Sequence, residues 1–360
     1  MKVAFVYDRV NKWGGAERDL LALHELFPEA PLYTSVYNSK AAPWAGVFPK
    51  VIPSFLQKIP FASDKHEHLP YLMPMAFESF NFDEYDLVIS VTSEAAKGII
   101  IKPRQLHICY LLTPTRYLWS HYDTYFEKPI FKALTKPLVN YLKGWDRVAA
   151  QRPDIVIAQS TAVRDRIKKY YGRDSFLIHP PVDYHFFGKG QKDKRDNFFL
   201  IVSRLVPYKR VDLAIEAFNK LGLPLLIVGI GSEEERLKLL ARGNIRFVKE
   251  LTDSSLAHYY RKCAAFIMPQ EEDFGLAAVE AQASGAPVIA YRAGGALDIV
   301  VEGKSGLFFE KQESRALIEA VKRFQRMKFD HRLISRQAER FSKEKFKQEF
   351  KKIILKSGRV

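Results

Sequence analysis

Two segments of the sequence place charged side chains where they could bind a phosphorylated, polyhydroxylated ligand. In the first, Arg204 and Lys209 follow an apolar run and precede a helical pattern. A guanidinium fork and an ammonium group at such a turn suit a diphosphate, although the pair also fits a solvated cluster at a helix start. In the second, Glu272 precedes a predicted helix, and Glu280 follows about two turns later on roughly the same face. Both carboxylates could accept hydrogen bonds from sugar hydroxyls.

The start of this second helix also offers backbone donors. The N–H groups of Asp273, Phe274, Gly275 and Leu276 are those that a helix start leaves without intrahelical partners. Glu280 lies among small residues in the run AAVEAQASG and is therefore expected to be mostly buried. A buried carboxylate is costly unless it has partners, so the sequence favours a ligand-binding role for Glu280.

Three glycine-rich turns could bring a phosphate close to the backbone. Gly14 and Gly15 follow the first predicted strand and lead into a helix, where the helix dipole favours an anion. Their spacing is not that of the dinucleotide fingerprint, and a Gly-Gly turn is common. Gly229 lies in a turn for which simple turn chemistry is an equally good explanation. Gly294 and Gly295 form another pair, which is expected to face the same crevice as Glu272.

These turns fall between short apolar runs and longer helical patterns, and the alternation continues along the chain. Strands are predicted at residues 3–7, 32–37, 87–90, 107–110, 155–158, 198–202, 225–228, 245–248, 264–268 and 288–290. Helices are predicted around residues 16–26, 161–171, 210–219, 233–241, 254–261 and 276–284, and between 125 and 150. Such a repeat requires parallel sheets covered on both faces, so the predicted fold class is α/β with two doubly wound Rossmann-like domains.

The boundary between these domains is predicted near the middle of the chain. Pro180 and Pro181 end the last strand of the first half, because proline cannot donate to a strand ladder. Residues 188–197 are Gly and polar residues only. We therefore expect one domain over residues 1–183, a linker over 184–197, and a second domain over 198–341 followed by a helix at about 342–360. Ligands of doubly wound sheets bind at the carboxyl ends of the strands.

The basic charge of the chain is concentrated at its C-terminal end. The 360 residues carry a formal net charge of +15, with 56 Lys and Arg against 41 Asp and Glu. Residues 311–360 hold 16 basic and 6 acidic residues, a balance of +10. The solvated face of amphipathic helices explains this segment, and attraction to anionic lipid is an alternative. No aromatic–basic recognition motif accompanies the charge, so nucleic acid is not expected as a partner.

Composition and hydropathy point to a soluble intracellular protein. Cys109 and Cys263 both lie in apolar runs, which excludes a disulfide framework and favours a reducing compartment. No apolar stretch approaches the length of a membrane span. The first apolar run meets Asp8 too early for a secretory signal. We expect a cytoplasmic protein.

Taken together, the motifs resemble those of retaining glycosyltransferases of family 4, which have the GT-B fold. The resemblance covers nearly the whole chain, from GGAER near the start through DIVIAQSTAVRDRI, IHPPVD and SRLVPYKRVDLAIEAF to EEDFGLAAVEAQASGAPVIAYRAGGALDIV. The last block is similar to the family's E-x7-E signature with its G-x-P-V-I-A continuation. Residues 113–119, TPTRYLW, are similar to members that transfer mannose during assembly of O-antigen and related polysaccharides.

The resemblance implies a role for each candidate residue. Arg204 and Lys209 would hold the donor diphosphate and neutralise it as it leaves, and Glu280 would hold the nucleotide ribose. Glu272 would contact hydroxyls of the donor sugar. The remaining members of the predicted nucleotide-sugar site are Gly14, Gly15, Gly229, Asp273, Phe274, Gly275, Leu276 and Leu251, the last in a loop over residues 249–252 that is expected to touch the base.

One position departs from the family pattern. Members usually carry a histidine just before the TP pair, and Leu112 occupies that position here. His107 and His121 are near in sequence, and either could be a substitute or a bystander. His121 and Arg116 are retained as possible site residues.

The implied reaction is the transfer of a hexose, with mannose from GDP-mannose favoured, through a front-face mechanism. No Asp-x-Asp motif is present, so neither a metal nor another cofactor is expected. Alternatives are a GT-B sugar-nucleotide epimerase and a non-catalytic protein that binds nucleotide sugars.

The implied acceptor is a glycan linked to polyprenyl diphosphate, at the inner face of the membrane. Basic residues with aromatic neighbours fit peripheral attachment there, with candidates at residues 55–61, residues 65–75 and the C-terminal helices. For the C-terminal helix at about 342–360, packing back on the N-terminal domain is the favoured expectation, and it is compatible with membrane attachment.

Overall fold

The chain folds into two compact units. The computed structural model describes residues 1–120, 122, 129–188, 195–249 and 251–358. The first unit comprises Met1–His179 together with Phe346–Val360, and the second comprises Pro180–Lys345. Within the described residues, no helix is both long enough and apolar enough to cross a membrane.

The first unit is built on a parallel sheet. The described strands β1 to β7 are Val3–Tyr7, Leu32–Thr34, Val51–Pro53, Leu87–Thr92, Leu106–Leu111, Ile155–Ala158 and Phe176–Leu177. They lie in the order β3-β2-β1-β4-β5-β6-β7, with every neighbouring pair parallel. The described helices of this half, α1 to α5, are Gly15–His24, Ala62–Lys65, Met73–Glu78, Pro129–Ala149 and Thr161–Tyr171.

Both faces of this sheet are covered, as a parallel sheet requires. All five residues of β1 are buried. Phe5 and Tyr7 pack in the cluster on one side, while Ala4 and Val6 pack in the cluster on the other. This two-residue alternation explains why β1 is apolar throughout rather than alternating with polar residues.

The second unit repeats the design. Its described strands β8 to β13 are Phe199–Val202, Leu225–Val228, Ile245–Val248, Ala265–Met268, Val288–Tyr291 and Gly306–Phe309, in the parallel order β10-β9-β8-β11-β12-β13. Its described helices α6 to α13 are Tyr184–Phe187, Val211–Leu221, Glu234–Leu240, Asp253–Lys262, Leu276–Ala283, Ala296–Ile299, Ser314–Gln325 and His331–Ala338. In β8, Leu200 faces one core and Phe199 and Ile201 face the other.

The predicted fold class is confirmed. Among the elements, β1, β6, β9, β10 and α5 have the predicted bounds, and the other predicted strands differ at their ends. The strand predicted at 32–37 stops at Thr34, and Tyr37 instead forms an isolated bridge with Val10. Residues 125–128 of the predicted helical region lie outside the described residues.

The structure divides the chain earlier than the sequence predicts. The second unit begins at Pro180, because Val182 donates its N–H to Phe341 O at 2.8 Å and packs in a core of the second unit. Residues 184–187 of the predicted linker form α6, and Phe187 packs in the same core. Residues 189–194 of the predicted linker lie outside the described residues.

The basic C-terminal segment forms amphipathic helices. Helix α12 buries Leu317 and Val321 in the second unit. The last helix, α14 (Lys343–Lys356), buries four apolar residues in the first unit, Phe346, Phe350, Ile353 and Ile354. The lysines of α14 lie mainly on its other face, so the charge of this helix accompanies a packed apolar stripe.

The strand order reverses at the same place in both sheets. In the first unit β1 lies between β2 and β4, and in the second unit β8 lies between β9 and β11. The connections on either side of such a reversal leave the sheet in opposite directions, which opens a crevice at the carboxyl ends of the two strands. The residues that follow β1 and β4, and those that follow β8 and β11, are therefore the first to consider for binding.

Candidate active site

At the switch point of the second unit, a lysine and a glutamate from separate turns meet. Lys209 follows β8 and Glu272 follows β11, and the Lys209 ammonium donates to Glu272 Oε1. The side chains are 11% and 18% exposed, so the pair is sheltered but open to solvent. The sequence named both residues as ligand-binding, and the structure brings them into direct contact.

The turn that carries Lys209 also orients Arg204. Pro207–Lys209 forms a single 3₁₀ turn, and Arg210 then adopts a left-handed φ of 50° before α7 begins. Arg204 is exposed and donates from Nη2 to the Tyr208 hydroxyl at 2.7 Å. Lys209 Nζ lies 5.2 Å from the centre of the Tyr208 ring. Tyr208 thus contacts both basic side chains, a role that the sequence prediction missed.

A second missed residue, Gln270, fixes the carboxylate of Glu272. Its Nε2 donates to Glu272 Oε1 at 2.9 Å, and the Gln270 side chain is buried. Glu272 Oε1 therefore accepts from both Gln270 and Lys209. Among the residues that the structure describes, no donor contacts the other oxygen of Glu272, which leaves it for a ligand. The position of Gln270, two residues before Glu272 at a strand end, was the available signal.

The loop from Glu272 to Gly275 rests on the glycine pair that follows β12. Gly295 N–H donates to Glu272 O at 2.8 Å. A Cβ on Gly295 would lie 2.2 Å from Phe274 Cα, and one on Gly294 would lie 2.2 Å from Glu272 O. The pair does not simply line the crevice, as the sequence suggested: it packs on the backbone of the loop, and only glycine allows that approach.

The helix after this loop, α10, begins at Leu276 and buries Glu280. Gly275 is its N-cap, with a left-handed φ of 112°, and offers no side-chain cap. Asp273 and Phe274 are buried immediately before it. Glu280 is 3% exposed, as expected from its small neighbours, and its Oε2 accepts from the Tyr260 hydroxyl at 3.0 Å. Tyr260, on α9, is a partner that sequence reasoning did not identify.

Two other predicted site residues of the second unit have structural contacts. Gly229 has a φ of 147°, and a Cβ there would lie 1.9 Å from Ser203 O, so glycine is required by the close approach of two turns. Leu251 is partly buried and packs against the core of this unit. Glu250, its neighbour in the predicted base-contacting loop, lies outside the described residues.

In the first unit, the glycine pair begins α1 as predicted. Gly14 is the N-cap in an extended conformation, and Gly15 is the first helical residue. A Cβ on Gly14 would lie 3.1 Å from Glu17 Oε2. Glu17 is buried and accepts from the Tyr7 hydroxyl at 2.7 Å. Burial and this carboxylate together raise the pKa of the Tyr7 phenol well above its usual value.

Asp8, directly after β1, accepts hydrogen bonds from several groups of the turn after β4, a role that the sequence did not reveal. Its carboxylate accepts from Thr92 Oγ1 at 2.7 Å and from the N–H groups of Ser93, Glu94, Ala95 and Ala96 at 2.7 to 3.0 Å. Burial and Glu94 raise the pKa of the Asp8 carboxyl, and the donors oppose this rise. The carboxylate ties the turn after β1 to the turn after β4 across the switch point.

The segment after β5 holds the remaining candidates. Leu112 is buried in the core of the first unit, while Arg116 is half-buried. His121 lies outside the described residues. His107 is an interior residue of β5, 2.8 Å from Ser90 Oγ through Nε2, and burial lowers the pKa of its imidazole to about 3. His107 therefore has a structural position rather than one at the strand end.

Comparisons with known proteins agree with this fold. Residues 185–359 match the family model Glycosyl transferases group 1. The uncharacterized glycosyltransferase MJ1178 of Methanocaldococcus jannaschii is 29% identical over 192 residues, which cover 51% of this chain and 54% of that protein. The O-antigen chain mannosyltransferase C of Escherichia coli is 26% identical over 223 residues, covering 56% and 57%. The chain thus spans about half the length of these curated relatives.

The likeness to solved structures extends over both units. The crystal structure of Anabaena Alr3699/HepE in complex with UDP covers 99% of this chain and 100% of its own, with a TM-score of 0.71 and 19% identity. At that identity the likeness concerns the fold. Residues 185–359 thus match the family Glycosyl transferases group 1, in a chain whose two Rossmann-like units have the fold of GT-B structures.

Proposed function

We propose that the protein is a retaining glycosyltransferase of family 4 that transfers mannose from GDP-mannose to a lipid-linked oligosaccharide or polysaccharide. The observation that carries this proposal is the meeting of Lys209 with Glu272 at the switch point of the second unit, in front of a helix that buries Glu280. A cation, a carboxylate and the N–H groups of a helix start are the groups that a diphosphate sugar needs.

The donor is bound by complementary parts of the second unit. Lys209 and Arg204 neutralise the diphosphate, and Glu272 accepts hydrogen bonds from the sugar hydroxyls through the oxygen that Lys209 and Gln270 leave open. The N–H groups at the start of α10 face the same ligand. Glu280, oriented by Tyr260, binds the ribose hydroxyls.

The reaction exchanges one glycosidic bond for another. The acceptor hydroxyl attacks the anomeric carbon on the face from which the diphosphate leaves, and the bond from that carbon to the diphosphate oxygen breaks. The electron pair of the broken bond stays on the diphosphate, whose oxygen takes the proton of the acceptor hydroxyl. Lys209 and Arg204 stabilise the charge that develops there, which is where preorganised electrostatics lower a barrier most.

The ion pair with Glu272 keeps Lys209 in place before the donor arrives. A lysine side chain loses rotamer freedom when it binds, and a lysine already held by a partner has lost part of it beforehand. The donor diphosphate then competes with Glu272 for the ammonium group. Because both side chains are partly exposed, this exchange does not require a buried charge to be left without a partner.

The names of the relatives support the transfer of a sugar during glycan assembly. They do not establish the nucleotide base of the donor, which therefore has to be measured. The Escherichia coli relative is named as a mannosyltransferase of the O-antigen chain, while the Anabaena structure holds UDP. Calorimetric titration with GDP, UDP and ADP tests the base directly, and we expect GDP to bind most tightly. Each nucleotide sugar is then tested with undecaprenyl-diphosphate-linked glycans, with and without EDTA. We expect mannose to be transferred at a rate that EDTA does not change. NMR of the product should show that the anomeric configuration of the donor is retained.

The same experiment separates the alternative functions. Turnover of the nucleotide sugar without any acceptor would indicate an epimerase. Tight nucleotide binding without transfer to any of the glycans would indicate a non-catalytic binding protein, in line with Leu112 at the usual histidine position. Binding of none of the three nucleotides would contradict the proposal itself.

A membrane-bound acceptor also needs a surface that reaches lipid, and the first unit offers one. Helix α4 exposes Leu134, Tyr141 and Val148, spaced seven residues apart and therefore on one face, and it also exposes Lys136 and Arg147. An exposed apolar face on a helix that also carries exposed basic residues suits the surface of an anionic membrane.

Vesicle flotation measures this attachment. We expect the protein to float with vesicles that contain anionic lipid, and the double variant Leu134→Ser/Tyr141→Ser to float less. The matched control is Leu239→Ser, at an exposed leucine of the second unit on α8. Equal flotation of the two variants would contradict a role for α4.

A further inference from the structure

The segment directly after β5 is fixed by a single buried carboxylate. Residues 113–119 lie at the carboxyl end of β5, where the sheet of the first unit would meet a ligand. Asp146, on α4, accepts hydrogen bonds from two side chains of this segment. Thr115 Oγ1 lies 3.1 Å from Asp146 Oδ1, and Trp119 Nε1 lies 2.7 Å from Asp146 Oδ2.

Two further donors complete the environment of Asp146. Lys97 Nζ lies 2.6 Å from Oδ1, and the Tyr171 hydroxyl lies 2.6 Å from Oδ2. The side chains of Lys97 and Asp146 are each 1% exposed. Each carboxylate oxygen thus accepts two hydrogen bonds, which is what a buried charge requires to be tolerated.

Lys97 extends the network to the neighbouring turn. It follows β4, in the short 3₁₀ turn Ala96–Gly98, and its ammonium also donates to Glu94 O. The Glu94 N–H is in turn one of the donors to Asp8. The turns after β1, β4 and β5 are therefore joined through two buried carboxylates, one on β1's turn and one on α4.

Stability alone does not account for this arrangement. A buried ion pair can often be replaced by apolar residues without loss of stability, because the desolvation of two charges offsets much of their attraction. What four directed hydrogen bonds supply, and an apolar contact does not, is a defined position for the groups that donate them. Two of those four groups belong to one short segment, residues 113–119.

We propose that Asp146 is a positioning residue that holds residues 113–119 in the conformation that receives the acceptor glycan. The proposal rests on the proposed transferase function, since the second unit takes the donor and the strand ends of the first unit are left for the acceptor. Asp146 itself is buried and does not touch the substrate. It acts through Thr115 and Trp119, and Arg116 lies between them in the chain.

Two conservative variants separate positioning from plain stability. Thr115→Val and Tyr171→Phe each remove one hydroxyl that donates to Asp146, but only Thr115 belongs to the segment; Tyr171 is on α5. We expect Thr115→Val to raise the acceptor KM about tenfold, which corresponds to about 1.4 kcal/mol in acceptor binding. The kcat and the nucleotide Kd should change less than about twofold. Tyr171→Phe should leave the acceptor KM unchanged although it lowers the Tm similarly, and Thr115→Ser should restore the KM.

Hydrogen exchange provides a readout that does not depend on activity. The amides of residues 113–119 should exchange faster in Thr115→Val, and faster still in Asp146→Asn, than in Tyr171→Phe. Equal exchange and equal KM values in Thr115→Val and Tyr171→Phe would overturn the proposal, because the carboxylate would then only stabilise the fold. A wild-type protein without transferase activity would refute the proposed function, and the exchange measurement would still decide whether Asp146 holds the segment.

Discussion

Replacement of Lys209 by methionine removes one charge and little else. Methionine keeps an unbranched stem of similar length, so the packing of the turn after β8 is preserved while the ammonium group is lost. Glu272 then keeps Gln270 as its partner and loses its cation. In the proposed mechanism the leaving diphosphate then loses one of the two cations that stabilise it. We therefore expect the transfer step to suffer far more than the fold.

The size of the effect follows from the position of the charge. Removal of one group that stabilises developing charge in a sheltered site costs about 2.7–4 kcal/mol, or a factor of about 100 to 1,000 in kcat. The pair is partly exposed, with 11% and 18% of the side chains open, so we expect the lower end of this range. The measurement is the rate of sugar transfer at saturating donor, together with the nucleotide Kd from calorimetry.

Lys220→Met is the matched control, because it makes the same chemical change in the same unit. Lys220 pairs with Glu216 on α7 at 2.7 Å, and both side chains are 58% exposed. An exposed ion pair of this kind contributes little to the free energy of folding, so the control variant should transfer sugar at nearly the wild-type rate. A kcat for Lys209→Met within about fivefold of wild type would refute the reasoning, because the charge effect at the leaving group is expected to be far larger.

Three further outcomes follow from the structure. Glu280→Gln should weaken nucleotide binding at least about tenfold, because it loses a hydrogen bond to a charged group. Glu272→Gln should leave the nucleotide affinity unchanged and mainly lower the rate of transfer. Calorimetry and transfer rates on both variants test this difference. Gly295→Ala should displace the loop at Phe274 and abolish donor binding in a protein whose circular dichroism stays native, since the added Cβ would lie 2.2 Å from Phe274 Cα. Burial lowers the pKa of His107 to about 3, against an ordinary 6.5. Between these pH values the unfolded chain binds a proton that the folded chain does not. The free energy of unfolding is therefore highest above pH 6.5 and falls as the pH falls toward 3. Urea unfolding at pH 7 and pH 5 should show that the free energy of unfolding falls less between these pH values for His107→Gln than for the wild type.

The bounds of a strand could be predicted where a short apolar run is flanked by residues that do not continue a strand. Strands β1 and β9 are continuous apolar runs because both faces of each sheet are covered, and their bounds agree with the prediction. Strand β2 was predicted too long because Val36 and Tyr37 are as β-prone as the residues of the strand itself. Pairing with a neighbouring strand ends at Thr34, and a run of residue types does not show where a partner ends.

Within the site, the sequence indicated residues but not their partners. Lys209 and Glu272 were assigned to different parts of the donor, and their mutual contact depends on β8 and β11 being neighbours, which follows from the strand order. Asp8 was noted only as an interruption of an apolar run. Its role becomes visible when the turn after β4 is placed beside it, so that backbone N–H groups point at its carboxylate. Contacts of this kind involve main-chain atoms, which leave no trace in the side-chain pattern.

The two sheets place their charged groups at the carboxyl edge in different ways. In the second unit, Lys209 and Glu272 satisfy one another incompletely and remain open to solvent, so a ligand can take over one partner at modest cost. In the first unit, Asp8 and Asp146 are each 1% exposed, and hydrogen bonds from the chain surround both carboxylates. A charge that is fully satisfied within the protein has little left to offer a ligand, but it fixes the backbone around it. The edge of the second unit is therefore suited to bind and stabilise changing charge, and the edge of the first unit is suited to hold a surface of constant shape.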